Sequence, residues 1–176
     1  MDTNTFNNLI SQTWPDLHAA STLGGGTFGT VYTCTKTDAV TGVTQKEAVK
    51  VVRVDFTPED RANAEEEGIP FADYYRAVKE KRLQEIRWMV ALKSPHIVHI
   101  NGYTAIEEPD HLALYILIRM DRLTALDQLR PAHLDDTPEQ TAALAEKVAL
   151  DICDALRVCH RNGVLHRDIK PANILC

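Results

Sequence analysis

Long apolar runs are missing from this sequence. The longest, Leu112 to Ile118, reads LALYILI and has seven residues, whereas a bilayer-spanning helix needs about 20. The run therefore reads as a fully buried strand. The N-terminal MDTNTFNNLI has neither a basic region nor an apolar core, so it is not a secretory signal. An excess of basic charge is missing too. The net charge is -6, and a nucleic-acid partner requires clustered Lys and Arg to neutralise phosphates. That excludes nucleic acid as the main partner but leaves nucleotides open, whose phosphates need only local donors. The four cysteines, Cys34, Cys153, Cys159 and Cys176, form no Cys-x-x-Cys pair, and the seven histidines form no His-Glu-x-x-His. Neither a zinc site nor a disulfide framework follows, and the thiols suit a reducing compartment. Repeats and low-complexity tracts are absent. What remains, 44% hydrophobic and 25% charged, is the composition of a soluble globular protein, and with neither a signal nor a spanning run in these residues the expected location is the cytoplasm. Its length allows one ordinary domain, or a small one plus part of another.

Residues 1–17 are rich in Asn and Thr and read as a loose lead-in, with Trp14 and Leu17 available to pack. From Ala19 the pattern is that of strands. Gly24 to Gly29 is a turn, Val31 to Thr35 alternates, Asp38 to Gly42 signals a hairpin, and EAVKVVRVDF is a third strand. Pro58 to Phe71 is a polar, acidic, partly helical insertion. Asp73 to Leu92 is a helix with an apolar stripe of Val78, Ile86, Met89 and Val90, and Pro95 ends it. HIVHINGYT and HLALYILI supply two more strands, and Leu123 to Leu129 a short helix. The last helix is bounded by a capping box, Thr137-Pro138-Glu139-Gln140, and by the Asn162-Gly163 stop. Its stripe is Leu144, Val148, Ile152, Ala155, Leu156 and Cys159. The fold class is α+β: a five-stranded antiparallel sheet with one helix inserted, then a helical part.

Four patterns carry chemistry. Gly24-x-Gly26-x-x-Gly29-x-Val31 lets backbone N–H groups approach phosphate oxygens without an intervening Cβ. A strand-like sequence follows it, which suits a strand–loop–strand flap better than a loop opening a helix, but a plain glycine hairpin fits that motif equally well. Lys50 stands between apolar strand neighbours in EAVKVV, which is unusual without a partner, although an edge lysine facing solvent reads the same. Glu85, beside Ile86, could reach Lys50 from a helix packed on the sheet; one more solvated glutamate is the plainer reading. The fourth pattern decides among these. His166-Arg167-Asp168, with Lys170 and Asn173, fixes five polar residues within eight, after a helix and a glycine stop.

Together these strings resemble the eukaryotic-type protein kinase superfamily, in its serine/threonine branch, from Ala19 to the end. The phrase ALRVCHRNGVLHRDIKPANIL and the insertion are similar to bacterial members. The resemblance implies a two-lobed fold: a lead-in over 1–18, an N-lobe and hinge over 19–121, and the start of the C-lobe over 122–176. It implies ATP and Mg2+ as cofactors and a Ser/Thr-containing protein as substrate. Gly24, Gly26 and Gly29 would cover the ATP phosphates. Val31 and Ala48 would enclose the adenine, with Ile118 as gatekeeper and Arg119 to Asp121, Met120 among them, as a hinge acting through its backbone. Lys50 would hold the α- and β-phosphates in an ion pair with Glu85. Asp168 would be the catalytic base, Lys170 the neutraliser of γ-phosphate charge, and Asn173 a magnesium ligand. His166 would be a packed scaffold residue, and Arg167 a contact for a phosphorylated activation loop.

The resemblance also implies the principal magnesium ligand, the aspartate of an Asp-Phe-Gly motif downstream of the catalytic loop. No Asp follows Asp168. The expectation is therefore a C-terminally truncated kinase with an incomplete C-lobe, an exposed apolar face on its last helix, and no activity of its own. Two other readings compete. A pseudokinase or truncated regulatory module is disfavoured by the intact Lys50, Glu85, Asp168 and Asn173. A small-molecule phosphotransferase of the aminoglycoside or choline type is disfavoured by Arg167 and the Lys170-Pro171 pair.

Overall fold

The computed structural model describes residues 2–26, 29–108, 113–129 and 136–176. It divides into two compact units, Met1–Met89 with Ile100–Arg122, and Val90–His99 with Leu123–Cys176.

The first unit is built on an antiparallel sheet in the order β1-β2-β3-β5-β4, with β1 at Leu17–Gly26, β2 at Gly29–Thr37, β3 at Thr44–Asp55, β4 at Ile100–Glu107 and β5 at Ala113–Asp121. The five expected strands are present. Asp38 makes the β2–β3 connection, its Oδ1 accepting from the backbone of Val40 and Thr41 at 3.0 and 2.7 Å. Gly42 supplies the positive φ (69°) that closes the turn.

Both faces of this sheet are covered. On one, Tyr32, Cys34, Val49, Val51 and Leu117 form a buried cluster with Phe6, Ile10 and Leu17. Burial pushes the Cys34 thiol up to about 12, so it is an inert core residue. Phe6 and Ile10 come from a helix, α1 (Thr3–Ser11), capped by Asp2. The sequence pattern predicts a loose lead-in here; instead Phe6 stacks on Tyr32 with ring centroids 3.9 Å apart, and both Phe6 and Ile10 are fully buried. Each such side chain contributes about 1.5–3 kcal/mol. Asn7 fastens the helix to the sheet by accepting the Ala19 N–H at 2.8 Å, where a register shift interrupts the β1–β2 ladder. Polar residues thus make the helix's cap and its tie to the sheet, while Phe6, Leu9 and Ile10, spaced three and four apart, make its apolar face.

The other face carries α3 (Phe71–Ala91), preceded by α2 (Pro58–Glu66), whose capping box joins Thr57 and Asp60. Val54 and Phe56 of the β3 end share a cavity with Tyr74, Val78, Lys81 and Arg82 of α3, and Phe56 packs on Tyr75 at 4.6 Å. Residues 50, 52, 54 and 56 alternate onto one face, so α3 lies over the face that bears Lys50.

The second unit contains α4 (Leu126–Leu129) and α5 (Pro138–Arg161), the latter opened by the expected Thr137–Gln140 capping box. Gly163 ends it with φ 73°, its N–H bonding to His160 O and that of Val164 to Cys159 O, at 3.0 and 2.9 Å. His96 Nδ1 lies 3.5 Å from Asp151 on α5. Of the expected stripe only Cys159 is buried; Leu144, Val148, Ile152, Ala155 and Leu156 are half-buried. Among the described residues no helix is long and apolar enough to cross a membrane.

Phe6→Ala should lower unfolding stability by about 3–5 kcal/mol in urea titrations, whereas Val40→Ala, at a turn residue 94% exposed, should change it by less than about 0.5 kcal/mol. Equal effects of the two would show that α1 is not part of the core.

Candidate active site

Strand register assembles the expected nucleotide-binding residues of the first unit. Val31 stands opposite Lys50. Lys50 stands opposite Ile118, and Ala48 opposite Met120. Because side chains alternate, all five lie on one face of the sheet. Ala48 and Ile118 are buried, while Val31 and Lys50 are half-buried. Burial alone draws the Lys50 ammonium below its usual range, since removal from water penalises the charged form.

The expected Lys50–Glu85 ion pair is not formed. Glu85 Oε2 instead accepts from Arg82 Nη1 at 3.3 Å, one helical turn away, and among the described residues Lys50 has no carboxylate partner. Arg82 and Glu85 are each close to half exposed and keep their water. A pair between Lys50 and Glu85 would give part of it up.

Arg119, expected at the hinge through its backbone alone, turns its side chain to the other face of the sheet. It is opposite Val49, on the α1 side of the sheet, where its Nη2 bonds Glu47 Oε1 at 2.8 Å and its Nε bonds Glu47 Oε2. Only its backbone remains available to the nucleotide face.

The glycine hairpin pairs Gly24 with Val31, Gly25 with Thr30 and Gly26 with Gly29; Thr27 and Phe28 lie outside the described residues. Gly29 and Gly24 differ in what the fold asks of them. Gly29 has φ 115°, and a Cβ there would stand 2.2 Å from Val51 O, so the fold itself demands glycine. Gly24 has no positive φ, and nothing lies within 4 Å of where its Cβ would be. Neither conformation nor packing within the chain requires glycine at 24.

The expected catalytic loop lies in the second unit. Asn173, in a 3-10 turn over Pro171–Asn173, donates through Nδ2 to both the Asp168 backbone O (2.9 Å) and Asp168 Oδ2 (2.8 Å). Lys170 Nζ lies 3.0 Å from the same Oδ2. The Lys170 contact, and after it the Asn173 amide, hold the Asp168 carboxyl below its ordinary range, so the group is an anion at neutral pH. Arg167 has φ 61°, a conformation uncommon outside glycine and a form of backbone strain often found at functional sites. His166, expected as a packed scaffold, is exposed; its Nδ1 accepts the Asp168 N–H at 3.4 Å. The loop is tied down beyond Asn173 by a contact no sequence motif announces. Thr124 and Cys176 exchange two backbone bonds of 2.8 Å, Leu126 donates to Ile174 O at 2.8 Å, and Ala125 bridges Leu175.

These donors suit a hard cation. With Nδ2 engaged, the Asn173 Oδ1 accepts no hydrogen bond among the described residues, and Mg2+ is characteristically held by one or two protein oxygens together with substrate phosphates.

The family model described as "protein kinase domain" matches residues 17–176. Myosin light chain kinase 2 of skeletal and cardiac muscle from Bos taurus is 32% identical over 160 residues, which is 91% of this chain and 21% of that protein. Cell division control protein 2 homolog 3 of Trypanosoma brucei brucei is 30% identical over 153 residues, 87% of this chain and 40% of that protein. The serine/threonine-protein kinase drp72 of Corynebacterium efficiens is 29% identical over 180 residues, 99% of this chain and 29% of that protein. The chain thus spans between 21% and 40% of these relatives' lengths.

Lys170→Met should raise the Asp168 pKa toward the ordinary carboxylate range, because the cation that favours the charged form is gone. A carboxyl-carbon NMR titration would read it. The native group's depressed pKa means that its contribution to stability is present above the unfolded value and is lost as pH falls. An unmoved titration would assign the shift elsewhere. Gly29→Ala should cost about 1–3 kcal/mol in thermal unfolding.

Proposed function

We infer the function from one premise: the chain belongs to the protein kinase family. We propose that it contributes the ATP-binding sheet and the catalytic loop of a serine/threonine protein kinase, which transfers the γ-phosphoryl group of ATP to a protein hydroxyl. The observation that carries this is the shared face of Val31, Ala48, Lys50, Ile118 and Met120. It joins an apolar surface suited to adenine with a half-buried cation that has no carboxylate partner among the described residues and therefore suits an anion. Gly24 beside it, glycine without a reason internal to the fold, supports the close approach of phosphates.

In this reading Gly24, Gly26 and Gly29 offer backbone N–H groups to the phosphates, and Lys50 holds the α- and β-phosphate oxygens. Asp168, kept anionic by Lys170 and Asn173, orients the substrate hydroxyl and accepts its proton. Lys170 turns to the γ-phosphate, and its type and place suit serine or threonine substrates. Asn173 would hold magnesium, which would neutralise phosphate charge. Within residues 1–176 no Asp follows Asp168, so we propose that these residues by themselves bind adenine nucleotide without turning it over.

Calorimetric titration with ADP tests this. The chain should bind saturably, and Lys50→Met should weaken binding about tenfold or more, a loss of about 1.4 kcal/mol. Gly24→Ala should weaken binding while leaving the melting temperature unchanged or slightly raised, since Ala costs less entropy than Gly in a strand. No saturable binding would overturn the nucleotide reading, and magnesium-dependent phosphorylation by residues 1–176 would overturn the proposal of binding without turnover.

A further inference from the structure

We infer that Trp14, Glu47, Asn101 and Arg119 form a brace that positions the hinge strand from behind, so that side chains touching no nucleotide set the selectivity for adenine; the inference rests on the nucleotide function proposed above. The brace sits where the strand's own support gives way. β5 runs between β3 and β4, and its ladder with β4 shifts register between Ile100 and Gly102, opposite Met120 and Arg119. A bulge of this kind leaves local backbone pairing disrupted. Here it falls at the hinge residues.

Side chains replace what the ladder loses. Asn101, the residue at the shift, donates through Nδ2 to Asp121 Oδ1 at 3.0 Å. Arg119 reaches diagonally to β3 and grips both oxygens of Glu47. The two residues are 15% and 10% exposed. Burying such a pair adds little net stability, since an apolar pair of similar volume often does as well. A planar, two-bond fork does fix orientation, and Arg119 stands between Ile118 and Met120, both on the nucleotide face. The Trp14 ring covers the guanidinium, centred 6.0 Å from Arg119 Cζ, a distance at which the ring attracts the cation. The ring also lies against Gly102, where an added Cβ would stand 3.6 Å from Trp14 Cζ2. Trp14 is itself held to α1 by its N–H to Ile10 O at 2.7 Å. The N-terminal helix, the outer face of the sheet and the hinge are therefore one connected structure.

The test measures ADP and GDP affinities of the whole chain for the wild type, the double variant E47M/R119M and Asn101→Ala. The double variant leaves no buried charge unpaired, and residue 101 is exposed, so at least one variant folds. A residue that merely stabilises the fold changes the active fraction and lowers both affinities alike; a hinge-positioning residue changes their ratio. The wild type should prefer ADP, and the preference should narrow about fivefold or more in the variants. Wild-type preference for ADP in folded variants overturns the brace alone. Failure of the wild type to bind ADP overturns the nucleotide reading, and the brace with it.

Discussion

Strand β3 has a neighbour along each edge and an occupied surface on each face, and its register with β2 and β5 is the constraint the first unit obeys. Even-numbered residues from Ala48 to Phe56 point to α3 and to the candidate nucleotide face. Odd-numbered residues from Glu47 to Val51 point to the core that α1 closes. A slip of one residue would exchange the two sets. Lys50 would then enter the apolar cluster of Phe6, Ile10 and Tyr32, and Val49 would stand in the site. Burying an ammonium without a partner is costly enough that the core and the site enforce the same register. The apolar cluster therefore does more than stabilise: it holds Lys50, Ala48 and Val31 to their face.

The second unit solves its positioning problem differently. Its functional residues lie within one short loop, so strand register cannot place them. Local bonds do so instead. Asn173 folds back on Asp168, Lys170 meets the same carboxylate oxygen, and the stretch after the loop is fastened to Thr124–Leu126 by three backbone hydrogen bonds. The left-handed Arg167 persists between these ties and the glycine stop of α5. The loop is thus over-determined from both ends, which is what a strained residue requires.

Most of this was legible where the physics is local. The Thr137–Gln140 box, the Gly163 stop, the strand alternation and the His166–Asn173 string are short-range patterns, and each appears in the structure where the pattern puts it. The failures lie where partners are distant in sequence. α1 was hidden because Asn and Thr dominate its composition, yet Phe6, Leu9 and Ile10 carried the helical spacing, and their partner Tyr32 lies 26 positions beyond Phe6. Arg119 was read at the hinge through its backbone alone; the partner of its side chain, Glu47, lies 72 positions earlier, and no local pattern announces it. The Ala125–Leu175 bridge joins segments on either side of α5, and no motif spans that distance.

The Lys50–Glu85 expectation failed for an energetic reason. Glu85 has two possible cations, Arg82 on its own helix and Lys50 on the sheet. An exposed i,i+3 pair is worth only about 0.2–0.5 kcal/mol, so Arg82 holds Glu85 weakly. Lys50 offers a stronger Coulomb attraction in its less polar surroundings, but pairing there removes water from both ions. Attraction and dehydration therefore oppose each other there. An anion bound at Lys50 alters that balance, because the lysine then has its charge compensated before Glu85 arrives, and its side chain is already ordered. Any coupling between the face that would receive phosphates and the helix that bears Glu85 would run through this one ammonium group, which the fold keeps half-buried and, among the described residues, without a carboxylate of its own.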